Sequence, residues 1–212
     1  MLKRINLNDL ALMVGVLLVY AILYVFNNRF QFFEIWNIPR TAFDEIVVFS
    51  PNWIWIYLSA YLMPVAMFFF LIRLGLHLHF LQLFFILTII TNIVFFLFPS
   101  SIDRIPVPME GVNDLTKLAF EILFSADKPF TCLPSTHVST SFIAALSVRQ
   151  HPRLFLIFTV FALLISYSAL AIGQHYVYDA IAGGFAALLA LEIHNRTVGA
   201  MENQLALGFL SR

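Results

Sequence analysis

The chain has 212 residues, 61% of them hydrophobic and 11% charged, with twelve Lys and Arg against twelve Asp and Glu. Soluble domains carry about a quarter charged residues, and this supply cannot coat a soluble surface, so a soluble globular domain and a disordered chain are excluded. A formal net charge of zero also excludes the basic excess of a nucleic-acid binder. An integral membrane protein remains. Long apolar runs, 24 Phe and ordinary Gly and Pro contents (8 and 9) favour helices over a barrel of alternating strands. The single cysteine, Cys132, can form no intrachain disulfide and signals no metal site.

A bilayer core needs roughly 20 mostly apolar residues per helix. The first run, Leu10–Phe26, follows Lys3 and Arg4 and is succeeded by bulky, polar Asn27-Asn28-Arg29, so it reads as a retained anchor and not a cleaved signal. Residues 27–52 mix aromatics (Phe30, Phe32, Phe33, Trp36, Phe43) with charges, which suits a segment in the headgroup region. Trp53–Ile72 is the second span, with Pro64 as a kink inside it, and Phe80–Phe98 is the third. Residues 99–133 hold Pro99, Pro106 and Pro108 and a weakly amphipathic stretch, Val112–Phe124; a connection this long points to function. Thr136–Val148 is short for a span but begins with the helix-start signature Pro134-Ser135-Thr136. Leu154–Ile172 and Tyr176–Ile193 complete the set. In the last, Gly183 and Gly184 with Ala180, Ala187 and Ala190 make a small-residue packing face. No internal repeat is visible. The expectation is one all-α integral membrane domain over residues 1–212, with six transmembrane helices at about 10–26, 53–72, 80–98, 136–148, 154–172 and 176–193.

Six spans put both termini on one side. Lys and Arg in short loops are retained in the cytoplasm. With the termini inside, Lys3, Arg4, Arg73, Arg149, Arg153, Arg196 and Arg212 fall on the inner side, against Arg29, Arg40, Arg104, Lys117 and Lys128 outside. The termini are therefore expected to be cytoplasmic, with the long loops at a periplasmic or lumenal face.

Ionisable groups at span edges mark function. His137 at the start of the fourth span, His175 and Asp179 at the junction of the last two, and Arg104 just past the third all arrive at the same face by counting spans alone. Residues four apart share a helix face, so Asp179 can hold one ring nitrogen of His175 and leave the other as nucleophile or base. His137 supplies a second imidazole that can act as acid. Pro134-Ser135-Thr136 presents backbone amides at the positive end of a helix, where phosphate binds, and Arg104 adds a fork-shaped donor. Two imidazoles, a carboxylate, a guanidinium and helix-start amides make a phosphoryl-transfer site that needs no metal. His77, His79, His151 and His194 read as interfacial anchors.

Pro134-Ser135-Thr136-His137 resembles the Pro-Ser-Gly-His motif of the type 2 phosphatidic acid phosphatase superfamily, and His175-Tyr-Val-Tyr-Asp179 resembles the His-x-x-x-Asp end of its last motif. The likeness covers about half the chain. It implies a helical-bundle phosphatase core in which His175 attacks phosphorus and forms a phosphohistidine, Asp179 orients it, and His137 protonates the leaving group. Ser135 and Thr136 would bind phosphate oxygens, and neither a metal nor another cofactor is implied. Two family cations are missing. The Lys of the first motif, normally followed seven residues later by Arg-Pro, is absent from the stretch 98–106, and Ser168-Ala169 replaces Ser-Arg ahead of the last His. Arg104 between prolines and the run Gln174-His175-Tyr176 are more similar to the inositol phosphorylceramide synthase branch.

Three activities follow. The first is hydrolysis of a lipid phosphomonoester or diphosphate at the outer face of a bacterial-type cytoplasmic membrane. The second is transfer of a phospho-headgroup to an alcohol. The third belongs to another class, a channel or transporter in which the His-Asp pair relays protons. The partners are a lipid phosphate and the surrounding membrane lipids, with no nucleic acid.

Overall fold

A computed structural model describes residues 6–104 and 110–210, with backbone alone for 199–210. Of the residues singled out above, Lys3, Arg4, Pro106, Pro108 and Arg212 lie outside the described residues. The fold is a helical bundle. In chain order its elements are α1 (Leu7–Arg29), β1 (Trp36–Asn37), α2 (Ala42–Ile46), α3 (Ile54–Ile72), α4 (His77–Leu97), β2 (Ser100–Ser101), α5 (Asp114–Ala126), α6 (Thr136–Ser147), α7 (Pro152–Ala171) and α8 (Val177–Leu210). Among the described residues, five helices are long and apolar enough to cross a membrane: α1, α3 with the 3-10 turn before it, α4, α7 and α8 through Val198. This is a membrane protein.

The fourth expected span, α6, differs from the others. Its twelve residues rise about 18 Å, short of a hydrocarbon core of roughly 30 Å. Ten of the twelve are buried, because α3, α4, α7 and α8 surround it. A helix enclosed by other helices can carry Ser139, Thr140, Ser141 and Ser147, whose hydroxyls would be costly in lipid; those of Ser141 and Ser147 donate to carbonyls one turn back, at 2.7 and 2.6 Å.

Hydrophobic burial adds little between helices in lipid, so close packing and polar contacts hold them. Phe68, Phe80, Phe84, Ile143, Ala187 and Ala190 belong to one buried cluster. Asn27 on α1 donates to Asn92 on α4 at 2.9 Å through the side-chain oxygen and at 3.2 Å through the carbonyl, a tie worth about 1 kcal/mol. Of the two glycines on α8, Gly183 is the one that close packing requires. A Cβ there would lie 2.8 Å from the Ser135 carbonyl oxygen and 3.1 Å from Val138 Cβ, whereas at Gly184 nothing lies within 4 Å.

Short connections at residues 73–76 and 148–151 gather at one end of the bundle. There the histidines read as headgroup anchors prove to be partnered: His77 bonds Asp9 at 3.1 Å, His79 accepts from Arg149 at 3.2 Å, and His194 bonds Gln82 at 2.9 Å. His151 alone of the four is exposed. The long connections gather at the opposite end. β1 and β2 pair in parallel there, Trp36 with Ser100 and Asn37 with Ser101, and Ser100 bridges Thr131. The amphipathic stretch in the second connection forms α5, which buries Thr116, Ala119, Phe120 and Leu123 at helical spacing against Ile54, Tyr57 and Ile172.

Candidate active site

The polar residues at this end meet where α6 starts, where α7 turns into α8, and where α1 ends. The turn is sharp because Gly173 takes φ +67°. Its amide bonds the Leu170 carbonyl while that of Gln174 reaches back to Ala169, at 3.0 Å each, a helix stop that favours glycine. His175 therefore stands in the turn, two residues before α8, and Asp179 in the first turn of that helix. Their pairing does not come from a shared helix face. Asp179 folds back over the helix start, where its Oδ2 accepts from His175 Nδ1 at 3.2 Å and from the Tyr176 amide at 2.9 Å. Asp179 is fully buried, and its Oδ1 has no partner among the described residues. With Nδ1–H donating to the carboxylate, the lone pair of His175 Nε2 faces outward.

His137, in the first turn of α6, lies opposite, with the two imidazole centroids 5.9 Å apart. Its Nδ1 is 3.0 Å from the Tyr57 hydroxyl, and its ring packs against Tyr57 and Tyr61 at centroid distances of 4.4 and 4.6 Å. The Tyr57 hydroxyl accepts from Nδ1–H when the ring is an imidazolium and donates to Nδ1 when it carries its proton on Nε2, and Nε2 is buried without a partner among the described residues. One imidazole thus offers a lone pair and the other, once protonated, an acid.

Ser135 is engaged on both sides. Its amide donates to the Asp179 carbonyl at 3.1 Å, and its Oγ caps α6 by accepting from the Val138 amide at 3.4 Å. These contacts, with Gly183 behind them, fix α6 against α8 and hence His137 against His175. Among the described residues, the helix-start amides left without a partner are those of Thr136 and His137, which point along the helix axis as anion donors.

Arg104 comes from the segment after β2. It does not pair with its neighbour Asp103. Its Nη1 donates to the Asp127 carbonyl at 2.7 Å, Nη2 lies 3.8 Å from the Asp127 carboxylate, and the guanidinium stacks 5.1 Å over Phe124. Its Nε is buried without a partner among the described residues. Asp127 accepts from Tyr24 at 2.7 Å and Asn28 at 3.1 Å. Burial pushes its carboxyl above the usual carboxylate range, opposed by the Tyr24 hydrogen bond and by the positive charge of Arg104. Cys132 nearby is also buried, which raises its thiol and keeps it unreactive.

Sequence reasoning brought His137, His175 and Asp179 together and missed Tyr57, Asp127, Asn28 and Tyr24. The dipeptide Asn27-Asn28 at a span end carried a signal for part of this network, since amides there need partners. Lys117, one of the basic residues counted on the outer side, pairs with Asp114 at 3.3 Å on the surface of α5. Among the described residues, no cluster of three His, Cys, Asp or Glu is disposed to hold a metal.

A lone-pair imidazole held by a buried carboxylate, a proton-bearing imidazole across from it and free helix-start amides define a membrane protein equipped for nucleophilic substitution on an oxyanion. A family model described as the PAP2 superfamily matches residues 42–193, and the chain belongs to that superfamily. Membership makes it a membrane enzyme of phosphatase or phosphotransferase type. No curated protein matches the chain significantly, nor does any solved structure.

Proposed function

We propose that the enzyme hydrolyses the phosphomonoester or diphosphate of a lipid at the outer membrane face, through a phosphohistidine. The observation that carries this reading is the facing pair of imidazoles, one fixed by Asp179 and the other by Tyr57. His175 Nε2 attacks phosphorus as the bond to the lipid oxygen breaks, and His137, as an imidazolium whose Nδ1–H donates to the Tyr57 hydroxyl oxygen, gives its Nε2 proton to that oxygen and becomes a neutral ring. His137, now a base, takes a proton from water, which attacks the phosphohistidine. Phosphate leaves and both rings return to their starting state. The Thr136 and His137 amides and Arg104 stabilise the equatorial oxygens. An apolar groove of about 460 Å³ lined by Trp36, Pro39, Leu133, Tyr178 and Phe185 suits the hydrocarbon tail, which would reach it sideways from the bilayer.

A second reading rests on Gln174-His175-Tyr176 and the two absent family cations: an alcohol replaces water and receives the phospho-headgroup. Purified protein is given phosphatidate and a polyprenyl diphosphate in detergent without added metal, with and without an alcohol acceptor. Phosphate release from either lipid, lost in His175→Ala, is the expected result. Product that forms only with the acceptor would establish transfer, and proton flux without turnover would establish the relay instead.

A further inference from the structure

A second arginine beside the site, Arg40, lies outside the residues that carry the family resemblance. Residues 36–44 are tied down at both ends. Trp36 and Asn37 pair with β2, and the Ile38 amide donates to the Ser101 carbonyl at 2.8 Å. At the other end buried Asp44 accepts from the Val177 amide at 2.8 Å, through Oδ1, at the start of α8 and one residue from Tyr176. Its Oδ2 closes a capping box with the Thr41 amide at 2.8 Å and the Thr41 hydroxyl at 2.6 Å. The segment is thereby docked on the same turn that carries His175.

Arg40 stands between these two anchors. It lines a narrow crevice with Asp44, Phe49, Gly173, His175 and Tyr176. Its one protein hydrogen bond among the described residues is a long one, 3.4 Å from Nη2 to the Asp44 carbonyl, so most of the planar fork is free. Pro39 beside it lines the apolar groove on α8. One rigid segment thus gives an arginine to the mouth of the nucleophile's crevice and a wall to the groove. An amphiphile with an anionic phosphate and a hydrocarbon tail has that same order of parts.

Resting on the phosphatase reading above, we propose that Arg40 is a substrate-binding residue that holds the lipid's phosphate oxygens at the crevice that His175 lines. A guanidinium matches phosphate in a two-pronged geometry that an ammonium cannot reproduce, so lysine rescues only in part. Arg29, an exposed arginine at the same end that donates to the Ser125 and Ala126 carbonyls, is the control for general attraction of an anionic lipid.

Wild type, Arg40→Gln, Arg40→Lys and Arg29→Gln are compared on phosphatidate and a polyprenyl diphosphate. Thermal stabilisation by orthovanadate gives a readout that needs no turnover. Arg40→Gln is expected to raise KM about tenfold, the loss of one charge-assisted contact, with kcat within about twofold, and to abolish vanadate stabilisation. Arg40→Lys falls between, and Arg29→Gln matches wild type. Unchanged KM and vanadate response in Arg40→Gln, or equal losses in Arg40→Gln and Arg29→Gln, would overturn the inference while leaving the phosphatase reading intact. A wild-type protein that is stabilised by vanadate through Arg40 yet hydrolyses no lipid phosphate would support anion binding at Arg40 and defeat the phosphatase reading alone.

Discussion

Replacing Tyr57 by Phe isolates the function of the second imidazole. The ring stays in place, packed edge-on against Tyr61 at 6.1 Å and against His137, and only the hydroxyl that bonds His137 Nδ1 at 3.0 Å is lost. Tyr57 is fully buried and His137 is 5% exposed, so water does not replace the lost partner. Leaving a buried donor unpaired costs about 1–3 kcal/mol. That cost falls on the imidazolium that protonates the leaving group, because its Nδ1–H loses the Tyr57 oxygen. At 1.36 kcal/mol per decade, kcat should fall roughly 5- to 150-fold. KM should stay within about twofold, since the hydroxyl acts through His137 and touches no phosphate. Initial rates of phosphate release give both constants. Because Tyr57 acts through His137, the double variant Tyr57→Phe, His137→Ala should be no slower than His137→Ala alone. A Tyr57→Phe enzyme within twofold of wild type, or losses that multiply in the double variant, would refute the assignment.

Gly183→Ala should destabilise the protein by about 1–3 kcal/mol, the cost of an overpacked contact. The obstruction is the Ser135 backbone carbonyl at 2.8 Å, and thermal unfolding in detergent against Gly184→Ala, which meets nothing, measures it. Asp127 gives a pH prediction. Its folded-state carboxyl is raised above the ordinary 3.8, so the folded protein binds a proton more readily than the unfolded chain, and the Asp127 contribution to stability grows as pH falls through the raised value. The unfolding free energy of wild type minus that of Asp127→Asn should therefore increase on acidification and level off below about pH 3.8. A difference that shrinks on acidification would show that the Arg104 pair outweighs burial.

Much of this architecture was legible because hydropathy and loop length are local properties. The apolar runs located four of the five long helices to within a few residues, and the start of the fifth, although α8 runs on to Leu210, past the expected end at 193. Counting them also carried Arg104, His137, His175 and Asp179 to one end, since chain direction alternates whatever the packing. What sequence could not supply were contacts set by tertiary structure. The His175–Asp179 pair was foreseen from helix spacing, yet it forms because Gly173 stops α7 and Asp179 folds over the start of α8. Tyr57 lies 80 positions from His137, and Asn28 lies 99 from Asp127; no periodicity links such pairs. The four histidines at the opposite end looked alike in sequence, and only their partners, Asp9, Arg149 and Gln82, separate three of them from exposed His151. The short α6 carried the helix-start sign of a span but not its length, and it differs from the others because the helices around it exclude lipid.

The covalent intermediate on His175 is the claim on which the account depends. Enzyme mixed with a lipid whose terminal phosphate carries 32P, quenched in alkali within the first turnover and digested for peptide mapping, should hold an acid-labile, alkali-stable label on His175. His175→Ala should carry none and release no phosphate. Phosphate release by His175→Ala, or a label mapped to any other residue of the working enzyme, would contradict the account.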